Sequence, residues 1–352
     1  QIRLVAGSGI QEVFIDTSRG RDVAAGAAGP VAQERARTPT AEEFRQARRA
    51  IEQASAVVRR AFSDVRLGRK MDMTSMYQMT HEIAESVIRD RDLMMLVCGM
   101  YQRRPSVFVH SVNVCVLLIN FASQQHLPGA TVRALALGGL LHDLGLGDTC
   151  AASLESGSPA DDHEHVAKAL DQLKSYNLAP ETLAAIGEHH ERADGSGFPR
   201  GLTSAEISLY GTMTGIADTY DQLCSPKLCT PSYGADVLPP PEAMAKLFEW
   251  GPRYFDSALG AGFVRAIGIY PVGSLVRLES GLLALVMQHR PDALLHPRVR
   301  VIYDTKLPGP VRAEDRDLAE APWSTQDRIV APEDPAKWGI TLDDYLGLNP
   351  QQ

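Results

Sequence analysis

The stretch that decides the fold spans residues 106–125 and reads SVFVHSVNVCVLLINFASQQ. Apolar side chains occupy almost every face of a helix built from it, from Val107 through Leu118 to Phe121. A helix that is apolar all round is buried on all sides. This stretch therefore predicts the central helix of an α-helical core.

Amphipathic patterns on both sides of this stretch predict the helices that surround it. Thr40 precedes Glu43 at the spacing of a capping box, and apolar residues follow at three- and four-residue steps, which predicts a long helix over 41–66. A second helix is predicted to begin at Thr74. Further helices are predicted over 130–144, 162–176, 181–192, 206–222, 240–250 and 254–267. The fold class is therefore mainly α, with the helical domain over 41–270.

The pattern changes after Pro271. Short apolar runs at Leu275–Leu278, Leu282–Met287 and Val299–Tyr303 predict a small three-stranded sheet, a C-terminal β appendage over 271–305. Residues 306–352 have little periodicity and predict an irregular tail. At the other end, 1–20 is interpreted as the end of a truncated N-terminal domain, and 21–40, rich in Gly, Ala and Arg, as a linker.

Length and charge restrict the function. The 352 residues suggest about two domains. A net charge of -8 gives no general attraction to a nucleic-acid polymer, although a bound cation or a few arginines can still hold a small phosphate ligand. The longest apolar run, Val112 to Ile119, is far shorter than the roughly 18 residues of a membrane span. Five cysteines without CxxC spacing fit a reducing cytoplasm, which is the predicted location.

Seven of the ten histidines lie in one stretch of the predicted core. His142-Asp143 and His189-His190 each end an apolar helix. Adjacent helical residues point about 100° apart, so such a pair supplies one ligand to each of two ions more easily than two ligands to one. Imidazole and carboxylate together suit iron, manganese, zinc or nickel.

Two more residues strengthen this cluster. Asp218 shares a helix face with small residues that would let an ion approach, and His110 lies on the predicted central helix, where an imidazole without a partner is costly. The plainer interpretation is that each is a hydrogen-bonded core residue, which is the usual role of a single buried histidine. The other histidines are interpreted without ligation: His126 as a helix-end residue, His163 as solvated, and His81, His289 and His296 as surface residues.

A glycine-rich loop follows His189-His190 and reads ERADGSGFP over 191–199. Its glycines and proline end the helix and predict turns. The loop places Arg192 and Asp194 about one turn from the histidine pair, where an arginine could hold a phosphate.

This string resembles the signature of the HD-GYP family, with Phe198 at the usual tyrosine, and His142-Asp143 is similar to its HD motif. The resemblance runs from about residue 74 to about 270, and the segment 268–276 is similar to one that closes many members of a subgroup. It implies an HD-type helical bundle and a cyclic di-GMP phosphodiesterase with two, sometimes three, metals.

The resemblance also implies a ligand set. His110, His142, Asp143 and Asp218 would bind one metal, and Asp143 would bridge to a second metal held by His165, His189 and His190. His165 is preferred to His163 because Ala169 and Leu173 then match the residues that usually follow the family's histidine. Iron or manganese is expected first, with zinc or nickel as alternatives. Arg192, Asp194 and Lys227 are the predicted substrate contacts.

The chain departs from the family pattern at the substrate-binding positions. The lysine that usually follows the HD motif is Leu146, the acidic residue of three-metal members is Ser106, and the usual Arg-Pro-Tyr reads Pro-Lys-Leu over 226–228. The segment between Asp143 and His165 is shorter than usual. The metal ligands are complete, whereas the phosphate contacts are reduced.

These residues and the family resemblance lead to two hypotheses about function, from different classes. The first is hydrolysis of cyclic di-GMP to pGpG, with GMP as the product of a second cut, by in-line attack of a hydroxide that bridges the metals. The alternative is a catalytically weak, metal-containing module that binds cyclic di-GMP, or a diguanylate-cyclase partner through the loop 194–199. Hydrolysis of another phosphoester is a third hypothesis, which the metal ligands alone would permit. The oligomeric state has no signal in the sequence.

Overall fold

The computed structural model describes residues 39–102, 106–146, 163–225, 237–341 and 345. The interpretations given above to 1–20 and to most of 21–40 lie outside the described residues, as does the predicted contact Lys227. The helices are α1 (Ala41–Arg66), α2 (Met73–Arg89), α3 (Arg91–Tyr101), α4 (Val107–Gln124), α5 (Gly129–Leu141), α6 (His165–Leu173), α7 (Pro180–Glu188), α8 (Leu209–Cys224), α9 (Pro240–Tyr254), α10 (Ser257–Ile267) and the short α11 (Trp323–Gln326). A 3₁₀ turn, Leu144–Leu146, follows α5, and a second covers Pro335–Trp338.

The mainly α fold is confirmed, and α4 is its central helix. This helix contacts α1, α2, α3, α5, α8 and α10, and Cys115, Leu118 and Phe121 have no exposed surface. Among the described residues, α4 is the one helix long and apolar enough to cross a membrane, but 78% of it is buried within the fold. Its apolar surface on all sides is explained by the six helices around it.

The start of α1 forms as its capping signal predicts. The Thr40 hydroxyl accepts a hydrogen bond from the Glu43 amide at 3.3 Å, and the Thr40 amide donates to the Glu43 carboxylate at 2.7 Å. These bonds satisfy two of the amides that a helix start leaves without partners. The apolar face then buries Phe44, Ile51 and Val58 completely, so α1 is fixed along the core.

Two glycines let α5 approach its neighbours closely. A Cβ atom on Gly138 would lie 2.5 Å from the Ala185 Cβ of α7, and one on Gly139 would lie 2.9 Å from the Leu118 Cδ1 of α4. A side chain at Gly138 would require the backbone to move, and one at Gly139 would require the Leu118 side chain to turn and would still lie 3.1 Å from backbone atoms of Cys115. The close packing brings the ends of α5 and α7, which carry the two predicted ligand pairs, to the same end of α4.

The C-terminal sheet has five antiparallel strands, not the three predicted. The predicted strands form at β1 (Leu275–Leu278), β2 (Leu282–Gln288) and β3 (Arg298–Asp304), and the tail adds β4 (Gly309–Asp317) and β5 (Ile329–Glu333) in the order β4-β3-β2-β1-β5. The prediction of an irregular tail from residue 306 was therefore wrong. Both added strands lie at the sheet edges and bury few side chains, so the apolar alternation by which strands are detected is absent from them.

The sheet shares its hydrophobic core with the helices. Val276 of β1 and Val286 of β2 belong to the same buried cluster as Leu96 of α3 and Leu118 of α4. The described residues from Thr40 onward form one compact unit.

Gly139→Val should lower the free energy of unfolding by about 1–3 kcal/mol, because the added side chain overpacks the contact between α4 and α5. Urea denaturation followed by circular dichroism measures this. The matched control is Gly129→Ala at the exposed start of the same helix, where a Cβ atom meets only the Arg133 side chain, at an ordinary 3.5 Å. If both variants were equally stable, the close approach would not be a constraint on this fold.

Candidate metal centre

The seven predicted ligands come together at one end of the central helix. They come from five elements: His110 from α4, His142 and Asp143 from the turn after α5, His165 from the first turn of α6, His189 and His190 from the turn after α7, and Asp218 from α8. All seven are buried, with at most 6% of the surface of any of them exposed. Side chains of this kind are almost never fully buried unless they are paired or bind a metal.

Asp143 lies between two groups of possible ligand atoms. In one group it is joined by His110 and His142, and in the other by His165, His189 and His190, with the ligand atoms of each group within 4.8 Å of one another. Its Oδ2 lies 3.4 Å from Nε2 of His142, and its Oδ1 lies 3.7 Å from Nε2 of His165. The two carboxylate oxygens therefore face different sets of imidazoles.

Backbone carbonyls fix the orientation of two imidazoles. Nδ1 of His142 lies 2.9 Å from the Gly139 oxygen, and Nδ1 of His189 lies 2.8 Å from the Ile186 oxygen. A carbonyl oxygen only accepts, so Nδ1 carries the hydrogen in both residues. In the neutral ring Nε2 then has a free lone pair, which is directed at the cluster, and this is the usual arrangement of a histidine that binds a metal.

A third carboxylate, that of Asp221, orients His110 and was missed by sequence reasoning. Nδ1 of His110 lies 2.8 Å from Oδ2 of Asp221, while its Nε2 lies 3.0 Å from Oδ1 of Asp218. Asp221 also accepts hydrogen bonds from the side-chain amides of Gln102 and Asn113, at 2.9 and 3.2 Å. The available signal was that Asp221 follows Asp218 by three residues on the same helix, and so lies on nearly the same face.

The cluster contains buried polar atoms that lack hydrogen-bond partners within the described part of the chain. These atoms are Oδ1 of Asp143, Oδ2 of Asp218 and Nε2 of His190. A buried acceptor without a partner typically costs about 1–3 kcal/mol, and more when it is charged. All three atoms can donate an electron pair to a cation. The residues therefore fit divalent metal binding, and the donor set of imidazoles and carboxylates suits a transition metal.

The carboxylates of the cluster are stabilised in their charged form. Burial alone would raise the pKa of Asp143, but the surrounding imidazoles, chiefly His142 and then His165 and His110, together outweigh it and hold that pKa well below its ordinary value. For Asp218, burial is likewise outweighed, chiefly by the hydrogen bond from His110, and its pKa is lowered. Two negative charges therefore persist in the buried site.

Four imidazoles of the cluster fall into two pairs, one with raised and one with lowered pKa values. Burial opposes a charge on His110 and His142, but the neighbouring carboxylates outweigh it, raising the pKa of His110 well above its ordinary value and that of His142 to about 9. Burial lowers the pKa of His189 to about 3, and burial together with the neighbouring His189 lowers that of His190. Protons on His110 and His142 would balance the carboxylates in the absence of a cation, and a metal ion bound at their Nε2 atoms would have to displace those protons.

The loop after His190 is held against the cluster by Glu191, to which sequence reasoning gave no role. This buried carboxylate accepts hydrogen bonds from the backbone amides of Arg200 and Leu202, each at 2.8 Å. Gly197 packs on the backbone of His190–Arg192, where a Cβ atom would come within 2.5 Å of the Glu191 Cα. The loop therefore folds back over the histidine pair.

Phe198, at the position of the family's tyrosine, packs between two histidine rings, one inside the cluster and one outside it. Its ring centroid lies 4.5 Å from that of His190 and 4.3 Å from that of His163. His163 is exposed, as predicted, whereas His165 is buried and faces Asp143. The structure thus places His165, and not His163, in the cluster.

The predicted substrate contacts have structural partners of their own. The Arg192 guanidinium is buried and donates to the backbone oxygens of His189 and Glu191, at 3.0 and 2.9 Å. Burial lowers the pKa of Arg192 to about 10. Asp194 accepts a hydrogen bond from Nε of Arg253 at 2.8 Å. These bonds shape the loop, and phosphate binding by either residue stays a prediction.

Two departures from the family pattern have structural roles. Leu146 ends the 3₁₀ turn and is only 1% exposed, so its side chain lies inside the fold and not at an open cleft. An apolar side chain replaces the usual lysine here and is shielded from water. Ser106 caps α4, since its hydroxyl accepts a hydrogen bond from the Val109 amide at 3.4 Å.

Among the histidines outside the cluster, one prediction was wrong. His289 is only 5% exposed, and its Nε2 donates to the Arg265 oxygen at 2.9 Å, so it is a buried residue and not a surface one. It links β2 to α10. His126 follows the end of α4 with a φ of 55°, as a helix-end residue.

Comparison with known proteins agrees with this geometry. The HD domain family matches residues 98–259, a range that contains all seven clustered residues. A domain of unknown function, DUF3391, matches residues 1–76, and so extends beyond the predicted truncated domain and linker into α1 and α2.

Curated relatives are named as cyclic dinucleotide phosphodiesterases. A cyclic di-GMP phosphodiesterase of Pseudomonas aeruginosa is 33% identical over 97% of this chain and 85% of its own length. A 3′3′-cGAMP-specific phosphodiesterase of Vibrio cholerae is 31% identical over 48% of this chain and 37% of its own. A cyclic di-GMP phosphodiesterase of Borreliella burgdorferi is 24% identical over 51% and 48%. The protein described here, with its HD motif and its HHE…DGSGFP loop, therefore belongs to the HD-GYP family of HD-domain phosphodiesterases.

Proposed function

We propose that the protein is a metal-dependent phosphodiesterase that hydrolyses cyclic di-GMP to pGpG, with GMP as the product of a second cut. The observation that carries the proposal is the position of the Asp143 carboxylate between two groups of imidazoles. Two divalent ions are proposed, with iron or manganese first and zinc or nickel as alternatives. His110, His142, Asp143 and Asp218 would hold one ion; Asp143, His165, His189 and His190 would hold the other.

The substrate class is supported by the relatives. Those compared above are named for cyclic di-GMP or 3′3′-cGAMP, and the Pseudomonas aeruginosa enzyme matches along almost the whole chain. Both compounds are cyclic dinucleotides with two phosphodiester bonds. The preference for cyclic di-GMP over 3′3′-cGAMP rests on the Pseudomonas aeruginosa enzyme, whose match covers 97% of this chain.

Ions at these positions would supply Lewis acidity and neutralise charge that develops on the phosphoryl group. The protein itself keeps the proposed ligands in fixed orientations. Carbonyl oxygens hold His142 and His189, and Asp221 holds His110, so little reorganisation accompanies the reaction. The Phe198 ring over His190 shields one side of the site from water.

Substrate contacts through Arg192, Asp194 and Lys227 are part of the proposal. For Arg192, a phosphate would have to share the guanidinium with the two backbone oxygens it already contacts. Asp194 forms part of the loop surface together with Arg253.

A second candidate function has one observation in its favour. Because Leu146 is buried where the family usually has a lysine, the site lacks one cation beside the substrate phosphate. A catalytically weak module that binds cyclic di-GMP, or a diguanylate-cyclase domain through the loop 194–199, would need no such lysine. We further propose a cytoplasmic location, which the free thiols of Cys98, Cys115 and Cys224 support.

Purified protein should contain about two transition-metal ions per chain, because oxygen and nitrogen atoms of the buried cluster have no hydrogen-bond partner among the residues that the structure describes. Elemental analysis after anaerobic purification measures the content, and removal of the metal by a chelator should lower the melting temperature. Protein that contained no metal and took up neither iron nor manganese would rule out metal-dependent hydrolysis.

Asp143→Asn should remove more metal and more activity than the loss of any one histidine of the cluster, since its carboxylate faces both groups. Mutation of a residue that only orients a metal ligand typically lowers metal affinity about 10–100-fold. Loss of this ligand should therefore lower metal affinity by at least about 100-fold. Metal titration and pGpG production give the two readouts. Asp171→Asn, on the exposed side of α6, is the control. Full metal content in Asp143→Asn, with loss of metal in His110→Ala, would contradict the bridging role.

Asp221→Asn should lower metal affinity by about tenfold, because it weakens the bond that orients His110. Ser225→Ala is a matched control, since it removes a 3.3 Å hydrogen bond to the same carboxylate but leaves the charge in place. Metal titration is measured together with thermal melting of the apoprotein. Equal metal affinity in the two variants would mean that Asp221 has only a packing role.

A further inference from the structure

A groove that the metal cluster does not include runs between α1 and α4. It has a volume of about 830 Å³ and is lined on one side by Arg59, Arg60 and Arg69, and on the other by Ser106 and Val109. We call this the α1–α4 groove. A volume of this size is within the range of small-molecule sites.

The charge of the groove is opposite to that of the whole chain. Three arginines face two acidic residues of the lining, Asp64 and Glu52, which leaves one formal positive charge in a protein of net charge -8. A cleft with a positive local charge attracts anions even when the protein as a whole is negative. The ligand favoured here is therefore an anion.

The three guanidinium groups are held in different ways. Arg59 lies over the Phe108 ring, 5.1 Å from its centroid, and Phe108 is itself packed edge-on against Phe62. Arg60 and Arg69 lie 3.8 and 3.4 Å from the Asp64 carboxylate. Exposed ion pairs of this kind are weak, and a phosphate that accepts two parallel hydrogen bonds competes well for arginine.

One lining residue of the groove, Ser106, lies one helical turn from His110 of the metal centre. The Ser106 oxygen accepts a hydrogen bond from the His110 amide at 3.0 Å, so the two residues are one helical turn apart on nearly the same face of α4. Side chains in a helix lean toward its N-terminus. The His110 imidazole therefore leans toward the turn that begins at Ser106, and a ligand that reaches from the cluster toward the start of α4 would approach the Ser106 side of the groove.

A cyclic dinucleotide has the shape for such a contact. Its two phosphodiester groups lie on opposite sides of one ring, so when one is at the metals the other faces away from them. At Leu146 the chain lacks the lysine that usually assists in holding phosphate, and the side chain there is buried.

We propose that the α1–α4 groove binds the non-reacting phosphate of the cyclic dinucleotide through Arg59 and Arg60. This inference rests on the proposed function, which it deepens by assigning a second phosphate subsite. The subsite determines affinity for a substrate with two phosphodiester groups and takes no part in bond cleavage. Its arginines belong to α1, within the region that matches DUF3391 and outside the HD domain match.

The test is the double variant Arg59→Ala/Arg60→Ala in the full chain, loaded with metal. KM for cyclic di-GMP should rise about tenfold, as expected for the loss of charge-assisted hydrogen bonds, while kcat stays within about twofold. The inhibition constant of linear GpG, which has a single phosphodiester, should not change. Arg49→Ala, an exposed arginine of the same helix outside the groove, is the control.

The outcomes separate the two proposals. In an active enzyme, an unchanged KM in the double variant, or an equal weakening of cyclic di-GMP and GpG, would overturn the groove assignment and leave the proposed function intact. Metal content and melting temperature of the variant show that the fold is retained. Wild-type protein that does not cleave cyclic di-GMP would overturn the proposed function, and this inference with it.

Discussion

The buried carboxylate of Asp143, in contact with imidazoles on both sides, is the interaction on which the rest of the site depends. Its oxygens face His142 at 3.4 Å and His165 at 3.7 Å, and one of them has no hydrogen-bond partner among the described residues. Three buried carboxylates, those of Asp143, Asp218 and Asp221, and five imidazoles can share one site only if protons or metal ions balance their charges. This requirement explains why five separate elements of the fold converge there.

The convergence is made possible by close packing of helices. The glycines of α5 bring its end beside that of α7, and the turns after these helices present the ligands. Behind them lie groups that bind no ion in the proposed arrangement but keep the ligands in place: Asp221 beside His110, and Glu191 beneath the loop. A site supported in this way is ordered before its ion or substrate arrives.

The chain departs from the family pattern at two positions where other members have a charged side chain. Leu146 and Ser106, which stand where other members have a lysine and an acidic residue, are fully engaged in packing and in helix capping. Positive charge is instead found along α1, in the segment that matches a different family. The DUF3391-matching segment thus extends into a helix that packs directly on the central helix of the HD domain.

The amino-acid sequence by itself predicted most of the helices and the first three strands from local periodicity, but it did not predict α3 as a separate helix. The seven candidate ligands followed from the chemical types of the residues together with their resemblance to the HD-GYP pattern. The sequence did not reveal Asp221, which meets His110 across 111 residues of sequence, nor the burial of Leu146 and His289. Edge strands β4 and β5 were missed for a related reason: their pairing depends on backbone hydrogen bonds to neighbours already in place. Only the tertiary structure decides such features, because each is defined by its partner rather than by its own sequence.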